Sequence, residues 1–202
     1  MIQSDKIDSY MDIKKIANLL INFTIRRLAE IFGIIIFVAG ALLLAALLTY
    51  SPEDPNFIFP DNTEIKNILG FNGSFISDLF FQSIGLISYL ICLTLIITGV
   101  NIFRTKEFIL IIENIFFTII YSIFGTLFLS HFYLNAFTLY INGNGGFVGN
   151  YFDQTFLNSL ILINKTIFYY LLIFLILIFF LISINFNPLK FYNSIKKLFI
   201  IF

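Results

Sequence analysis

The sequence predicts an all-α, polytopic membrane protein, a bundle of four transmembrane helices with both termini in the cytoplasm. Three observations predict it. Hydrophobic residues fill 59% of the 202 positions and charged ones only 12%, with a mean hydropathy of +0.94, a balance that leaves too little polar surface for a water-soluble domain. Four apolar stretches, 31–50, 79–103, 115–134 and 161–184, are each long enough to cross a hydrocarbon core of roughly 30 Å. The basic residues divide unevenly between the segments that join them, which orients the bundle.

Residues 1–29 form a cytoplasmic N-terminal segment in which Lys6, Lys14, Lys15, Arg26 and Arg27 mix with Asp5, Asp8 and Asp12. Ile16, Leu19, Leu20 and Phe23 recur at helical spacing, so this segment reads either as an amphipathic helix on the anionic inner leaflet or as a solvated basic flank. The transmembrane domain, 30–186, opens with a span from Ile31 to Tyr50 that carries no charge. It is too long for the core of a signal peptide and no small-residue cleavage site follows, so it is read as a retained signal anchor. Pro52 and Pro55 remove backbone donors, and Glu53 and Asp54 are costly in lipid; the helix must stop with Tyr50 at headgroup depth.

Residues 51–78 read as a polar loop outside the bilayer, closed by Asp78, which is placed to cap the second span through the free N–H groups of its first turn. The second and third spans, 79–103 and 115–134, form a hairpin around Arg104-Thr105-Lys106, with Glu113 at the entry of the third, where a helix N-terminus favours a carboxylate. Residues 135–158 form a second outer loop. Its run Asn142-Gly143-Asn144-Gly145-Gly146-Phe147-Val148-Gly149 reads as turn-rich rather than as a phosphate cradle, because no Lys-Ser/Thr follows it. The fourth span, 161–184, holds Lys165 near its start, placed to snorkel to the outer interface. Asn185-Phe186-Asn187-Pro188 ends that helix, and 187–202 form a cytoplasmic tail.

On this topology the N-terminal segment, the 104–107 turn and the tail collect five, two and three basic residues, against only Lys66 and Lys165 on the other side. That is the positive-inside pattern, and it puts both termini in the cytoplasm. Helices in lipid pack through small residues on shared faces. Such faces are Ala41, Ala45 and Thr49 in the first span, and Gly85, Ser88, Cys92 and Gly99 in the second. In the third they are Thr118, Ser122, Thr126 and Ser130, with Gly125 beside them. The fourth span is almost entirely Phe, Tyr, Leu and Ile, and is predicted to be the most lipid-exposed.

Several functions are excluded or weakened. No Lys/Arg run marks a nucleic-acid surface. The single cysteine, Cys92, lies in an apolar span and reads as packing filler. His131, the only histidine, has no companion in the sequence for a metal site or a catalytic pair. A small transporter or channel subunit is the alternative function, but it requires charged or broken helices at mid-depth, and the sequence shows neither.

Four patterns in order resemble the N-terminal four-span membrane domain of the FtsK/SpoIIIE DNA translocases, over most of residues 30 to 150. Glu30 and Gly33 match the Glu-x-x-Gly ahead of that family's first span. Leu47, Tyr50, Ser51, Pro52, Asp54, Pro55 and Phe57 fit its exit signature, from which Thr49 and Asn56 depart. Asn67, Gly70 and Gly73, then Ser77-Asp78-Leu79, then Gln82, Gly85 and Ser88-Tyr89-Leu90 follow its next pattern, and Gly145, Gly146 and Gly149 resemble the Gly-Gly-x-x-Gly before its fourth span.

The resemblance implies a multi-pass anchor in the bacterial inner membrane at the division septum, serving cell division and chromosome partition. Its expected partners are the lipid bilayer, other septal membrane proteins and further copies of itself, in a hexamer, with no direct nucleic-acid binding by this chain. No catalytic, cofactor or metal residue is expected. ATP and magnesium belong to a motor domain, and no Gly-x-x-x-x-Gly-Lys-Ser/Thr occurs in these 202 residues, so the motor is expected to lie elsewhere.

Overall fold

The computed structural model describes residues 2–55, 64–133, 142–189 and 196. These are helices and short connections: α1 Ile2–Leu48, α2 Gly70–Ile84, α3 Ser88–Thr105, α4 Ile109–Phe132, α5 Gly146–Asp153, α6 Phe156–Ile163 and α7 Lys165–Ser183. Four stretches are long and apolar enough to cross a membrane: 15–48 of α1, α2 with α3, α4, and α7. The all-α, four-span architecture is as the sequence predicts. Parts of the sequence patterns, Asn56, Phe57, residues 135–141 and most of the tail, lie outside the described residues.

Helix α1 runs for 47 residues, about 70 Å at 1.5 Å per residue. It packs on α3 through glycine. A β-carbon on Gly33 would stand 2.7 Å from the Phe103 nitrogen and 2.8 Å from the Gly99 carbonyl oxygen, and one on Gly99 would stand 2.5 Å from the Phe37 nitrogen. Gly40 meets Leu95 and Ile96 in the same way. The buried stripe of α1 is therefore Ala29, Gly33, Gly40, Leu43, Ala46 and Leu47, whereas Ala41, Ala45 and Thr49 are only half-buried. Glycines bring two backbones closer than alanine or threonine can, and the helix turns that face inward.

The second span departs from expectation. It is broken at Gly85–Ile87, a single 3-10 turn between α2 and α3, and α2 starts at Gly70 inside what the sequence offers as an outer loop. Asp78 thus lies in the middle of a helix, where it cannot cap the first turn. Helix α4 also starts early, at Ile109, so the exposed Glu113 falls beyond its first turn. The second predicted outer loop contains α5 and the start of α6, which runs on into the first residues of the predicted fourth span. The fourth span starts at Lys165, because the Asn164 side chain accepts the Ile167 N–H at 3.1 Å and caps α7 there. As expected, α7 is the least buried of the four spans, with only Leu172 and Ser183 buried along it. Its contact with α4 is aromatic: Phe179 stacks on Phe117 and Phe124, both at 6.0 Å, and Phe180 meets Tyr121 edge-on at 5.7 Å.

Candidate functional site

Thirteen of the fifteen residues singled out from the sequence gather at one end of the bundle, the end that carries the long loops, and Glu30 and Gly33 lie at the other. The loop end is built first by the need to satisfy the last carbonyls of α1, which have no partner within the helix. Thr49 Oγ1 donates to the Ala45 carbonyl at 2.8 Å, Asn67 Nδ2 to Ala46 at 2.8 Å, and Tyr89 OH to Leu47 at 3.2 Å. One local residue and two from far along the chain thereby close one helix end.

Asp54 fastens the loop that follows. A turn, closed by the Asp54 N–H on the Ser51 carbonyl at 3.2 Å, points its carboxylate inward, where it is 1% exposed. It accepts the Lys66 N–H at 2.9 Å on one oxygen and the Asn67 N–H at 2.8 Å on the other. Pro55 is buried beside it, and its carbonyl accepts Ser74 Oγ at 2.8 Å. Pro52 is exposed at the tip of the turn, next to Glu53, which pairs with Lys66. That contact holds the Glu53 carboxyl below its ordinary range and raises the Lys66 ammonium above its own.

Asn67 then turns the chain into α2. Its carbonyl accepts the Gly70 N–H at 2.9 Å and its Oδ1 the Leu69 N–H at 3.1 Å. Gly73 leaves room for this side chain, since a β-carbon there would strike Asn67 Oδ1. One turn on, Asp78 accepts Tyr50 OH at 3.0 Å, while the Tyr50 ring meets Phe81 edge-on at 4.9 Å. Asp78 therefore ties the end of the first span to α2.

The break at Gly85 is filled by the 142–149 segment. Gly85 has φ +60° and ψ −142°, a region essentially reserved for glycine, and a β-carbon there would run into the Asn144 carbonyl. The Leu86 N–H, freed by the break, donates to that same carbonyl at 2.9 Å. Gly146 (φ +65°) abuts Ser83 and Ile84. On the far side Gly145 and Gly149 press against α4, where β-carbons would strike Thr126 and Ser130. Ser130 Oγ donates to Asn150 Oδ1 at 3.1 Å, and Asn150 Nδ2 to the Asn142 carbonyl at 2.7 Å.

His131 does have a companion, contrary to the sequence reading: its Nδ1 lies 2.8 Å from Asp153 Oδ1, bringing α4 and α5 together. The pair joins residues 22 apart in the chain, a contact no spacing rule reveals. Among the described residues no group of three His, Cys, Asp or Glu could hold a metal ion. Cys92 is fully buried in the cluster with Leu43, Leu47 and Phe81.

At the opposite end Glu30 pairs with both Arg27 and Lys106, each at 2.6 Å, and so fastens the α3–α4 turn to α1. Gly33, one turn later, permits the close crossing described above. Sequence reasoning missed the buried polar seam nearby. Thr94 Oγ1 meets Tyr121 OH at 2.9 Å, Asn114 Nδ2 donates to Thr98 Oγ1 at 2.8 Å, and Asn185 Nδ2 donates to Asn114 Oδ1 at 2.7 Å. Asn101 Nδ2 donates to the Ile184 carbonyl at 3.0 Å. The available signal was an asparagine on each of three neighbouring helix ends.

These features define a class: a four-span membrane domain whose buried polar groups hold helix ends and loops to one another. Residues 25–196 match the family described as the 4TM region of DNA translocase FtsK/SpoIIIE. The chain belongs to that family. It is similar to the DNA translocase FtsK of Rhizobium meliloti, 33% identical over 89 residues that cover 44% of this chain and 10% of the relative. It is also similar to the FtsK of Rickettsia typhi, 24% identical over 137 residues, 68% of this chain and 18% of the relative. With the FtsK of Caulobacter vibrioides it shares 40% identity over 73 residues, 36% of this chain and 9% of the relative. The chain thus spans less than a fifth of the length of these relatives. No solved structure matches it. It is a multi-pass inner-membrane protein of this family, and the region matched is the family's membrane region.

Proposed function

We propose that this domain anchors an FtsK-like DNA translocase at the division septum, with both termini in the cytoplasm, and that its loop end meets other division proteins. The observation that carries the reading is the family match over residues 25–196, joined to the gathering of the motif residues at a single end of the bundle, away from most of the basic residues. Pro52 is exposed at that end, beside the Glu53–Lys66 pair, and presents a surface that a partner can meet. The domain acts as an interaction module without a cofactor of its own or direct contact with DNA. ATP and magnesium serve a motor domain, and copies assemble into the hexamer that the resemblance implies.

The test is imaging of the chain fused to a fluorescent protein in dividing cells. A band at mid-cell is expected, and uniform staining of the cell perimeter overturns the septal assignment. Joint replacement Pro52→Ala and Asp54→Asn should weaken the band more than it lowers membrane insertion; an undiminished band removes the loop end from partner binding. Alkaline phosphatase fused to either terminus should be inactive, since that enzyme folds only outside the cytoplasm.

The transport reading gains a broken helix that the sequence did not show. That break is packed solid by Asn144 and Gly146 rather than lining a path, so it does not favour conduction.

A further inference from the structure

The two short helices at the loop end have the polarity of a soluble amphipathic helix turned inside out. In α2 the buried face is Gly73, Ser74, Ser77 and Asp78, with Phe81, while Phe71, Ile76 and Leu79 point outward, 46%, 41% and 53% exposed. In α5 the buried face is Gly146 and Gly149, while Phe147 and Tyr151 are 62% and 59% exposed. Each helix contains one charged residue, and each turns it to the protein: Asp78 to Tyr50, Asp153 to His131. The outward faces carry no charge.

Their depth is fixed by what they touch. Gly145 and Gly149 lie against Thr126 and Ser130, within the last two turns of α4, and Ile87, just past the end of α2, reaches Gly125. Both helices therefore flank the ends of membrane spans rather than standing above them. Helix α3 alone, with 18 residues, covers about 27 Å, so α2 is not needed to complete that crossing. Along each outward face rings stack one turn apart, Phe71 on Phe75 at 6.4 Å and Phe147 on Tyr151 at 6.5 Å.

We propose that α2 and α5 are membrane-surface helices whose outward faces lie in the headgroup–acyl boundary of the leaflet at the loop end, with phospholipid as the occupant. An apolar face buried roughly 5–10 Å into that boundary is the usual station of such helices, and aromatic rings are favoured there. The loops at this end are thus partly a collar lying in the membrane, whichever side of it they face.

The chain contains no tryptophan, so a single substitution supplies a unique fluorophore. Phe71→Trp and Phe147→Trp, on separate helices so that one can fail to fold without loss of the test, are compared with the exposed Lys66→Trp in the full chain reconstituted into phosphatidylcholine–phosphatidylglycerol vesicles. With brominated phospholipid the two collar positions should lose most of their emission, equally at high and low protein density, while iodide quenches only the Lys66 position. Quenching of the collar positions by iodide to the extent seen at Lys66 would place them in water and overturn the proposal. Protection from both quenchers would mean that protein, a second copy or another partner, covers them, and would overturn it equally.

Discussion

The α1–α3 contact with the loop end it leads to, and the α4–α7 contact, solve the same problem by opposite means. Gly33, Gly40 and Gly99 bring backbone onto backbone, and the junction that follows is held by hydrogen bonds to individual carbonyls and N–H groups. Helices α4 and α7 meet through Phe117, Phe124, Phe179 and Phe180, bulky rings in stacked or edge-on pairs. Backbone contacts admit one geometry, because any added atom collides with a group that cannot rotate away. Ring contacts admit several, because side chains repack. Damage should therefore be severe in the first region and mild in the second.

The sharpest break is expected at Gly85. Gly85→Val combines a glycine-only conformation with a collision against the Asn144 carbonyl and should cost about 3 kcal/mol or more, read as lost folded protein in detergent. Next comes Asp54→Ala, which leaves the N–H groups of Lys66 and Asn67 without their acceptor at a cost of about 2–3 kcal/mol. Asp54→Asn keeps one acceptor oxygen and should fall between that variant and the parent in thermal melts. Gly99→Leu, which drives α1 away from α3, should lose roughly 1–3 kcal/mol. Phe179→Leu should lose only about 1 kcal/mol; a loss equal to that of Gly99→Leu would erase the contrast.

The smallest effect is expected at the Glu53–Lys66 pair, fully exposed and screened by salt. The pair lowers the Glu53 pKa from 4.5 and raises that of Lys66 from 10.5. Its contribution is therefore lost as pH falls through the depressed carboxyl value, or as pH rises through the elevated ammonium value, and is present between them. Lys66→Gln should leave the melting temperature at neutral pH within error in physiological salt.

How much of this is visible in the sequence differs between the two regions. Apolar length places the four spans, and Pro52 with Pro55 places the end of the first, because hydropathy and proline act locally. The break at Gly85 does not show, because glycine within a span equally marks a close helix contact, and only the arrival of Asn144 decides between them. Asp78 before an apolar run has the pattern of a cap; α2 begins earlier because Gly70 and the Asn67 turn start it, and that leaves Asp78 free for Tyr50. Asn67 stands in the sequence pattern, yet its part in closing α1 depends on a fold that brings it to Ala46. The seam of Asn101, Asn114 and Asn185 is hidden for a related reason: each lies near a span end, where a polar residue looks merely interfacial.

The closure of α1 by residues that come later in the chain has a consequence for biogenesis. The Ala46 carbonyl waits for Asn67, 21 residues on, the Leu47 carbonyl for its side-chain donor Tyr89, 42 residues on, and Gln82, beside the break, for Asn142, 60 residues on. At roughly 5–20 residues per second that last interval is about 3–12 s of synthesis. During it the break at Gly85 lacks the 142–146 segment that fills it. The first two spans are thus released from the ribosome unfinished, and the glycine-rich segment before the last span acts as the wedge that locks them.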